Sequence, residues 1–243
     1  MPYSVRVFPT REALAQSLAA MLIKDLDRIE PDHYYTIALS GGSTPEYLFR
    51  YLSENYAERI SWEKMLVFWV DERCVSPEDR ESNYRMAYES LLQNVPIPDV
   101  NIFRIRGEDD PAAEARQYSE LVSSMVPEYR GIPQFDLMLL GLGSDGHTAS
   151  IFPDRPDMFT SGQLFEVAAR PDKKQKRITA TARLINNSSK IYYIVTGKEK
   201  ASVVSQVLEG KSGSELYPAA RIMPGSGHLV WMLDTGAASL LKA

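Results

Sequence analysis

Residues 34–52 read YYTIALSGGSTPEYLFRYL, and this stretch indicates the class of fold. The apolar run at 34–39 is typical of a short buried strand, whereas residues 45–56 place apolar side chains at helical spacing. Between them, SGGSTP at 40–45 combines glycines and a proline that favour a tight turn into a helix. The stretch therefore predicts a strand, a turn and a helix in direct succession.

The same alternation continues along the rest of the chain. Apolar runs predict further strands, and segments with helical periodicity separate most of them. We predict strands at 4–8, 65–70, 101–105, 135–142, 177–185, 191–195 and 228–233, and helices at 11–29, 83–92, 111–126 and 198–208. Residues 177–185 alternate polar and apolar side chains, which indicates a half-exposed or antiparallel strand. This order predicts an α/β fold with a mostly parallel sheet, in one domain over residues 1–243.

Composition excludes several classes of protein. The chain has 243 residues, of which 44% are hydrophobic and 24% charged, so we expect a globular protein rather than a disordered or fibrous one. The sequence contains no run of about 18 apolar residues, which argues against a membrane span. The net charge of −5 argues against general nucleic-acid binding, which needs a broad basic surface. This net charge still allows the binding of a small anionic ligand, provided that basic side chains cluster at the binding site.

Cysteine and histidine content bears on compartment and cofactors. Cys74 is the one cysteine, so no intrachain disulfide can form, and the N-terminus lacks the basic and apolar segments of a signal peptide. Both features predict a cytoplasmic protein. A lone cysteine and three scattered histidines argue against a structural zinc site, and we predict neither a metal nor a cofactor.

The turn after the second predicted strand is a candidate anion site. In open parallel sheets, ligands bind beyond the carboxyl ends of the strands, where this turn lies. Its glycines allow a ligand to approach the backbone, and amides at the start of a helix attract anions. We predict Pro45 at the first helical position with Thr44 as the N-cap, and an ordinary capped turn is the alternative. The candidate phosphate-binding residues are Ser40, Gly41, Gly42, Ser43 and Thr44.

Charged residues directly follow the apolar run at 65–70. Residues 71–74 read DERC, which places Asp71 and Arg73 near the carboxyl end of that strand. Arginine is well shaped to bind phosphate with two hydrogen bonds, whereas aspartate can bind sugar hydroxyls or orient a histidine. A solvated loop with local ion pairs is the alternative for this segment.

Residues 141–148 read GLGSDGHT and also follow a predicted strand. Their glycines match the spacing of a dinucleotide-binding fingerprint, but Pro153 and Pro156 interrupt the helix that such a fingerprint requires. We interpret the glycines as backbone freedom around Asp145 and His147, with His147 at the start of a short helix. Histidine suits proton transfer near neutral pH, because its unperturbed pKa is about 6.5. A purely structural histidine is the alternative.

Two basic features and one irregular segment lie nearby. Five of the eight residues at 170–177 are basic, which predicts either a ligand contact through residues such as Arg177 or a solvated loop. Lys198 stands at a predicted helix start, where acidic residues are favoured, so it is a candidate ligand contact. Residues 153–176 contain three prolines, and we predict an irregular excursion there beside the site.

Six segments together resemble the 6-phosphogluconolactonase family. They are SGGSTPEYLFRYL (40–52), FWVDERCVSPEDRESNYRMA (68–87), GLGSDGHTASIFP (141–153), RITATARLIN (177–186), VTGKEKA (195–201) and HLVWMLD (228–234). The resemblance runs nearly end to end in the same order. It implies a Rossmann-like α/β sheet flanked by helices, of the type shared with sugar-phosphate isomerases. It also implies hydrolysis of 6-phospho-D-glucono-1,5-lactone to 6-phospho-D-gluconate, the second step of the oxidative pentose phosphate pathway.

Glucosamine-6-phosphate deaminases resemble the chain in the same turn and histidine motif. Their pattern carries an acid a few residues after the histidine, where this chain has Phe152. It also carries a tyrosine after Asp-Glu, where this chain has Arg73. Both departures favour the lactonase. Asp154 departs from the lactonase pattern, in which glycine follows the proline, and this bears on the local turn rather than on the activity.

The resemblance and the residues together suggest a mechanism. Hydrolysis of a lactone needs a water nucleophile, a base and stabilisation of the tetrahedral oxyanion. We take His147 as the base for water and then as the acid for the leaving ring oxygen. Asp145 or Asp71 would orient it or bind hydroxyls, and Asp145 helps only if the loop bends between it and His147.

The phosphate group of the substrate requires positive charge. We predict that residues 40–44 bind it together with Arg73, Arg177 and Lys198, although one of these cations could instead face the oxyanion. A sugar-phosphate sensor without catalysis is the alternative from another class, and the presence of His147 and two nearby acids argues against it. We expect a small-molecule substrate, and a monomer or weak homodimer.

Overall fold

The computed structural model describes residues 3–169 and 175–242. Strands and helices alternate along the chain, as the sequence predicts. The strands are β1 (Tyr3–Phe8), β2 (Tyr35–Leu39), β3 (Met65–Trp69), β4 (Asp71–Arg73), β5 (Glu128–Tyr129), β6 (Ile132–Pro133), β7 (Leu137–Leu140), β8 (Phe165–Ala169), β9 (Lys176–Ala180), β10 (Lys190–Val195) and β11 (His228–Asp234). The helices are α1 (Arg11–Leu26), α2 (Ser43–Tyr56), α3 (Asn83–Ser90), α4 (Pro111–Met125), α5 (Ala182–Ile185), α6 (Ala201–Leu208) and α7 (Pro218–Arg221).

Six strands form one parallel sheet in the order β1-β11-β10-β7-β2-β3. Its inner strands β2 and β7 and the edge strand β3 are buried at every residue, as expected for parallel strands that are covered on both faces. The opposite edge strand, β1, is largely exposed. The predicted α/β fold with a mostly parallel sheet is confirmed.

Three short strands form a second, antiparallel sheet in the order β4-β9-β8. Val70 joins the two sheets, because its N–H donates to the carbonyl of Leu39 and its own carbonyl accepts from the N–H of Ala180, each at 2.8 Å. The prediction of an antiparallel strand at 177–185 is confirmed for β9, but the strand ends at Ala180 and a short helix follows. β9 is also buried after its first residue rather than half-exposed.

The predicted strand at 101–105 is wrong. This segment touches the main sheet through an isolated bridge between Ile102 and Val67, after a 3-10 turn at Asp99–Asn101. The Phe103 ring stacks on the ring of Phe68, with centroids 4.9 Å apart. The apolar residues that suggested a strand therefore serve side-chain packing.

Residues 153–176 are more regular than predicted. They contain a 3-10 turn, the whole of β8 and the first residue of β9. Residues 170–174, with most of the predicted basic stretch, lie outside the described residues. Lys176 and Arg177 are the described basic residues of that stretch, and both belong to β9.

The helices α1, α3 and α4 begin at side-chain caps. Thr10 is the N-cap of α1, and its side chain accepts from the N–H of Ala13 at 3.2 Å. The Asp110 side chain caps α4 in the same way, and Pro111 occupies the first helical position. Within the described ranges, no helix has both the length and the apolar character that a bilayer span requires.

Candidate active site

A cavity of about 270 Å³ lies at the carboxyl ends of β2, β3 and β7. Its walls come from the segments that follow these strands: residues 40–42 after β2, β4 after β3, and residues 141–147 after β7. Asn83 at the start of α3, Ala149, Arg177 of β9 and Lys200 directly before α6 also line it. The predicted site residues that line this cavity are Ser40, Gly41, Gly42, Asp71, Arg73, His147 and Arg177.

The other predicted site residues are placed differently. Ser43, Thr44, Asp145 and Lys198 are outside the lining formed by the described residues. Lys198 is exposed, whereas Lys200, two residues later, lines the cavity and donates to the carbonyl of Leu142 at 2.8 Å. The cation that this segment supplies to the cavity is therefore Lys200 and not Lys198.

The amino end of α2 lies against the cavity. α2 begins at Ser43, and Gly42, with a φ of 112°, is its N-cap and contributes no side-chain hydrogen bond. The predicted cap at Thr44 with Pro45 as the first helical residue is wrong, because the helix starts two residues earlier. The Thr44 hydroxyl pairs with that of Thr196 at 3.0 Å. A helix amino end without a side-chain cap favours an anion.

The three charged side chains of β4 point alternately to the two sides of the strand. Because successive side chains of a strand point to opposite faces, Asp71 and Arg73 line the cavity whereas Glu72 does not. β4 pairs with β9 so that Arg73 lies opposite Arg177, and Asp71 lies opposite Thr179. Like charges directly opposite each other destabilise an antiparallel pair. The two arginines therefore concentrate positive charge that an anionic ligand would neutralise.

Asp71 and Arg177 are connected through a buried hydroxyl. The Ser150 hydroxyl donates to Oδ2 of Asp71 at 2.6 Å and accepts from Nη1 of Arg177 at 3.2 Å. All three side chains are buried, and Ser150 has no exposed surface. This network fixes the Asp71 carboxylate in the cavity wall.

The His147 imidazole is held by Asp145. Its Nδ1 lies 2.5 Å from Oδ1 of Asp145, which also accepts from the His147 N–H at 3.2 Å. The loop bends between 143 and 146, where the N–H of Gly146 donates to the carbonyl of Gly143 at 3.0 Å. Asp145 can reach His147 only if the loop bends here, and the bend is present. Asp145 rather than Asp71 therefore contacts the imidazole.

The carboxyl group of Asp145 has a defined charge. Partial burial acts to raise the pKa of the Asp145 carboxyl, but the hydrogen bond and charge of His147 outweigh it and bring the pKa to about 2. Asp145 is therefore an anion at neutral pH. A carboxylate on Nδ1 stabilises the tautomer in which Nε2 is free to accept a proton.

Close packing fixes the position of the imidazole. A Cβ at Gly143 would lie 2.1 Å from Nδ1 of His147, so a side chain at this position would displace the imidazole. The predicted helix start at His147 is wrong, because Ala149 has a φ of 50° and an isolated bridge joins Thr148 to Ile151. The Phe152 ring packs against the imidazole, with ring centroids 4.9 Å apart.

The structure adds residues that sequence patterns alone do not single out. Asn83 lines the cavity, and its Nδ2 donates to the carbonyl of Asp71 at 2.8 Å. Ser150 and Lys200 make the contacts described above. All three lie inside segments that carry the family resemblance, and this is the one signal in the sequence that includes them.

The charged groups of the cavity suit an anionic ligand. Arg73, Arg177 and Lys200 supply positive charge around it. In residues 3–169 and 175–242, no group of three or more His, Cys, Asp or Glu side chains could hold a metal ion. The arrangement can bind a phosphorylated small molecule and exchange a proton with it through His147.

Comparison with known proteins agrees with this geometry. Residues 9–231 match the family model of glucosamine-6-phosphate isomerases/6-phosphogluconolactonase. The chain belongs to this family. The resemblance seen in the sequence segments is thereby confirmed across most of the chain.

Several relatives of similar length carry the lactonase name. A 6-phosphogluconolactonase of Treponema pallidum is 41% identical over 220 residues, which are 90% of this chain and 91% of that protein. A 6-phosphogluconolactonase of Haemophilus influenzae is 39% identical over 235 residues, or 96% and 98% of the two chains. The crystal structure of 6-phosphogluconolactonase from Leishmania guyanensis is 27% identical, covers 99% of each chain and has a TM-score of 0.85.

Proposed function

We propose that this protein hydrolyses 6-phospho-D-glucono-1,5-lactone to 6-phospho-D-gluconate, with His147 as the residue that transfers the proton. The observation that carries the proposal is a carboxylate-held histidine in the same cavity as two arginines on paired strands. A phosphorylated lactone needs both a base beside its carbonyl and cations for its phosphate. The relatives named 6-phosphogluconolactonase support the same reaction.

In the proposed reaction, Nε2 of His147 takes a proton from water while the water oxygen attacks the lactone carbonyl. The Asp145 carboxylate on Nδ1 stabilises the imidazolium that forms. The tetrahedral intermediate then collapses, the bond from the carbonyl carbon to the ring oxygen breaks, and His147 returns the proton to that oxygen. One water and one lactone are consumed, and one carboxylic acid with a free hydroxyl is formed.

In this proposal, the cationic side chains of the cavity and the turn at residues 40–42 bind the phosphate group. Arg73 and Arg177 lie opposite each other in the β4–β9 pair, so an anion between them removes their mutual repulsion. Nε of Arg73 is buried and has no partner among the described residues. Lys200 adds a third cation, in place of the exposed Lys198.

Asp71 serves a different purpose in this proposal. Its carboxylate is buried, lines the cavity and accepts from Ser150, so it is held in one orientation. An ionised carboxylate accepts hydrogen bonds from hydroxyl groups, but its negative charge repels a phosphate group. We therefore assign Asp71 to the hydroxyls of the sugar acid and Asp145 to the orientation of His147.

Deamination of glucosamine 6-phosphate fits the cavity less well. The deaminase pattern carries an acid close behind the histidine, at the position of Phe152. Here the Phe152 side chain is buried and packs against the imidazole. A phenyl ring neither accepts nor donates a proton, so this site lacks a second acid–base group at that position.

We also propose a single-domain enzyme over 1–243 that needs neither metal nor cofactor and works in the cytoplasm as a monomer or weak homodimer. The family match over 9–231 supports one domain. The single cysteine supports a reducing compartment. Hydrolysis as written needs only water and the side chains described, which supports independence from a cofactor.

The test is a coupled assay in which the lactone is made in place from glucose 6-phosphate. Formation of 6-phospho-D-gluconate is followed against the rate without protein, because the lactone also hydrolyses unaided. Acceleration by the wild type, lost in His147→Ala, is the expected result. His33→Ala is the matched control, because His33 is exposed and outside the cavity. Full activity in His147→Ala would remove the histidine from the mechanism.

A wild type that does not accelerate lactone hydrolysis would overturn the enzymatic proposal. Calorimetric binding of 6-phospho-D-gluconate by such a protein would then favour a sugar-phosphate sensor. Ammonia release from glucosamine 6-phosphate would favour the deaminase reaction instead. The three outcomes are separated by measurements on the same protein preparation.

A further inference from the structure

We infer that Glu72 is a positioning residue of the substrate site, which holds Arg73 and Asn83 in place through their backbone N–H groups. The inference rests on the proposed function, because it concerns the affinity of the same cavity for its phosphorylated ligand. Glu72 does not line the cavity, and its side chain is 2% exposed. It lies between two cavity residues of β4 and points to the other side of the strand.

The Glu72 carboxylate is fully occupied by donors. Its Oε1 accepts from the N–H groups of Arg73 and Asn83, each at 2.7 Å. Its Oε2 accepts from the N–H of Tyr84 at 2.7 Å and from the hydroxyl of Ser82 at 3.1 Å. Four donors thus share two oxygens, and three of these donors belong to the amino end of α3. An ionised carboxylate at that end also interacts favourably with the helix dipole.

A buried carboxylate lowers the stability of the fold unless hydrogen bonds replace those that it made with water. Burial raises the pKa of Glu72, and the N–H groups of Asn83, Tyr84 and Arg73 oppose this shift by stabilising the ionised form. A buried charge that loses its partners destabilises the fold strongly. The carboxylate therefore ties β4 and α3 together with little freedom to move.

Asn83 transmits this constraint to the turn after β2. Its Nδ2 donates to the carbonyl of Asp71, and a Cβ at Gly41 would lie 1.7 Å from its Oδ1. The amide therefore packs directly on the backbone of Gly41, which is possible only because residue 41 lacks a side chain. Asn83 sets the separation between β4 and the anion-binding turn, and Glu72 fixes the backbone from which Asn83 extends.

Glu72→Gln breaks this arrangement with little change in shape. A glutamine has one oxygen and one NH2 group, so one pair of donors must face another donor. Either Arg73 and Asn83 or Tyr84 and Ser82 then lose their acceptor, and the start of α3 shifts against β4. The expected consequence is weaker binding of the phosphorylated ligand.

Glu114 provides a matched control. It is 3% exposed, accepts from the N–H of Arg106 at 2.8 Å, and burial raises its pKa as well. Glu114 does not line the cavity. Both glutamine variants should lower the temperature of unfolding, because each replaces a charged acceptor on a buried side chain with a neutral amide. Only Glu72→Gln should change ligand affinity.

The experiment measures calorimetric binding of 6-phospho-D-gluconate together with kcat and KM for the lactone. In Glu72→Gln, Kd and KM should rise about tenfold, which corresponds to the loss of one charged hydrogen bond, and kcat should change less. In Glu114→Gln, both constants should stay within about twofold of the wild type. If Glu72→Gln does not fold, Glu72→Asp keeps the charge on a shorter side chain and should raise Kd about threefold.

The outcomes separate this inference from the proposed function. Wild-type Kd and KM in a folded Glu72 variant, with an active wild type, would overturn the inference and leave the lactonase intact. An equal rise in both glutamine variants would also overturn it, because the effect would then follow stability alone. A wild type that binds 6-phospho-D-gluconate without turnover would overturn the enzymatic proposal, and the Kd comparison would still decide the role of Glu72. A wild type that neither binds nor turns over would overturn both.

Discussion

The two sides of the cavity are built on different principles. The turn wall, formed by residues 40–42 and 141–147, follows parallel strands and carries several glycines and the His147–Asp145 pair. The ladder wall, formed by Asp71, Arg73 and Arg177, carries its charges at alternate positions of two antiparallel strands. The turn wall offers backbone groups and a proton-transferring side chain, whereas the ladder wall offers fixed charges. We therefore expect changes at the His147–Asp145 pair of the turn wall to act mainly on kcat and changes in the ladder wall mainly on KM.

Among the variants that test this division between kcat and KM, Asp145→Asn is expected to have the largest effect. An amide in place of the carboxylate no longer stabilises the imidazolium and can favour the wrong tautomer of His147. We expect kcat to fall about 100-fold with little change in KM, at the lower end of what general acid–base catalysis contributes. Steady-state kinetics with the phosphorylated lactone measure both constants. A rise in KM with unchanged kcat would break the division between the two walls.

The same variant has a pH signature in stability. The pKa of Asp145 is about 2 in the folded protein, below the value of about 3.9 for an unfolded aspartate. The carboxylate therefore contributes stability above about pH 4, and this contribution is lost as the pH falls through about 2. The wild type should unfold at a higher temperature than Asp145→Asn at about pH 5, and the difference should fade towards pH 2. Thermal scans across this range measure it, and no difference at about pH 5 would contradict the assigned pair.

The second-largest effect is expected from a change in the ladder wall, Arg73→Ala, which tests whether this wall determines KM. Arg73→Ala should raise KM about twentyfold for the phosphorylated lactone, because a charged hydrogen bond to phosphate is lost. The effect on unphosphorylated gluconolactone should be small. Arg106→Ala is the control, because Arg106 is an exposed arginine outside the cavity. Equal effects of Arg73→Ala on both lactones would remove Arg73 from the phosphate site.

The smallest effect distinguishes two lysines that are close in sequence. Lys200→Ala should raise KM for the phosphorylated lactone about fivefold, because Lys200 lines the cavity as one cation among three. Lys198→Ala should leave KM within about twofold of the wild type, because exposed substitutions away from a site have little effect. Parallel KM measurements compare the two variants directly. A larger effect from Lys198 than from Lys200 would restore the sequence-based choice.

The sequence predicts the turn wall better than the ladder wall. The strands under the turn wall are apolar runs, and the positions after them follow from the general geometry of parallel sheets. That reasoning correctly brings Gly41, Gly42 and His147 of the turn wall into one cavity. It misplaces the start of α2, because Thr44 and Gly42 are both acceptable caps and sequence alone does not rank them here.

The ladder wall depends on pairing between distant segments. β4 consists of three charged residues and has no apolar pattern, and the sequence indicates no strand there. Its pairing with β9 aligns Arg73 with Arg177, a relation that no local rule predicts. Ser150 is missed for the same reason, because its partners Asp71 and Arg177 lie far away in the chain. Glu72 is missed because its role depends on contacts with residues 82–84, which only the fold places beside its carboxylate. The sequence also does not indicate that Lys200 rather than Lys198 lines the cavity, because this depends on a 3-10 turn at Lys198–Lys200.

The order of the main sheet has a consequence for how the chain folds during its synthesis. β1 precedes the other described strands in the chain, and its partner is β11, with Tyr3 opposite Leu229 and Phe8 opposite Asp234. Until β11 emerges, β1 has no strand to pair with, and Val5 and Val7 remain 40% and 50% exposed even in the finished fold. The strands beneath the cavity pair with each other and do not need β1. Closing the sheet at this edge is therefore a long-range step, and β1 stays without its partner strand until β11 has been made.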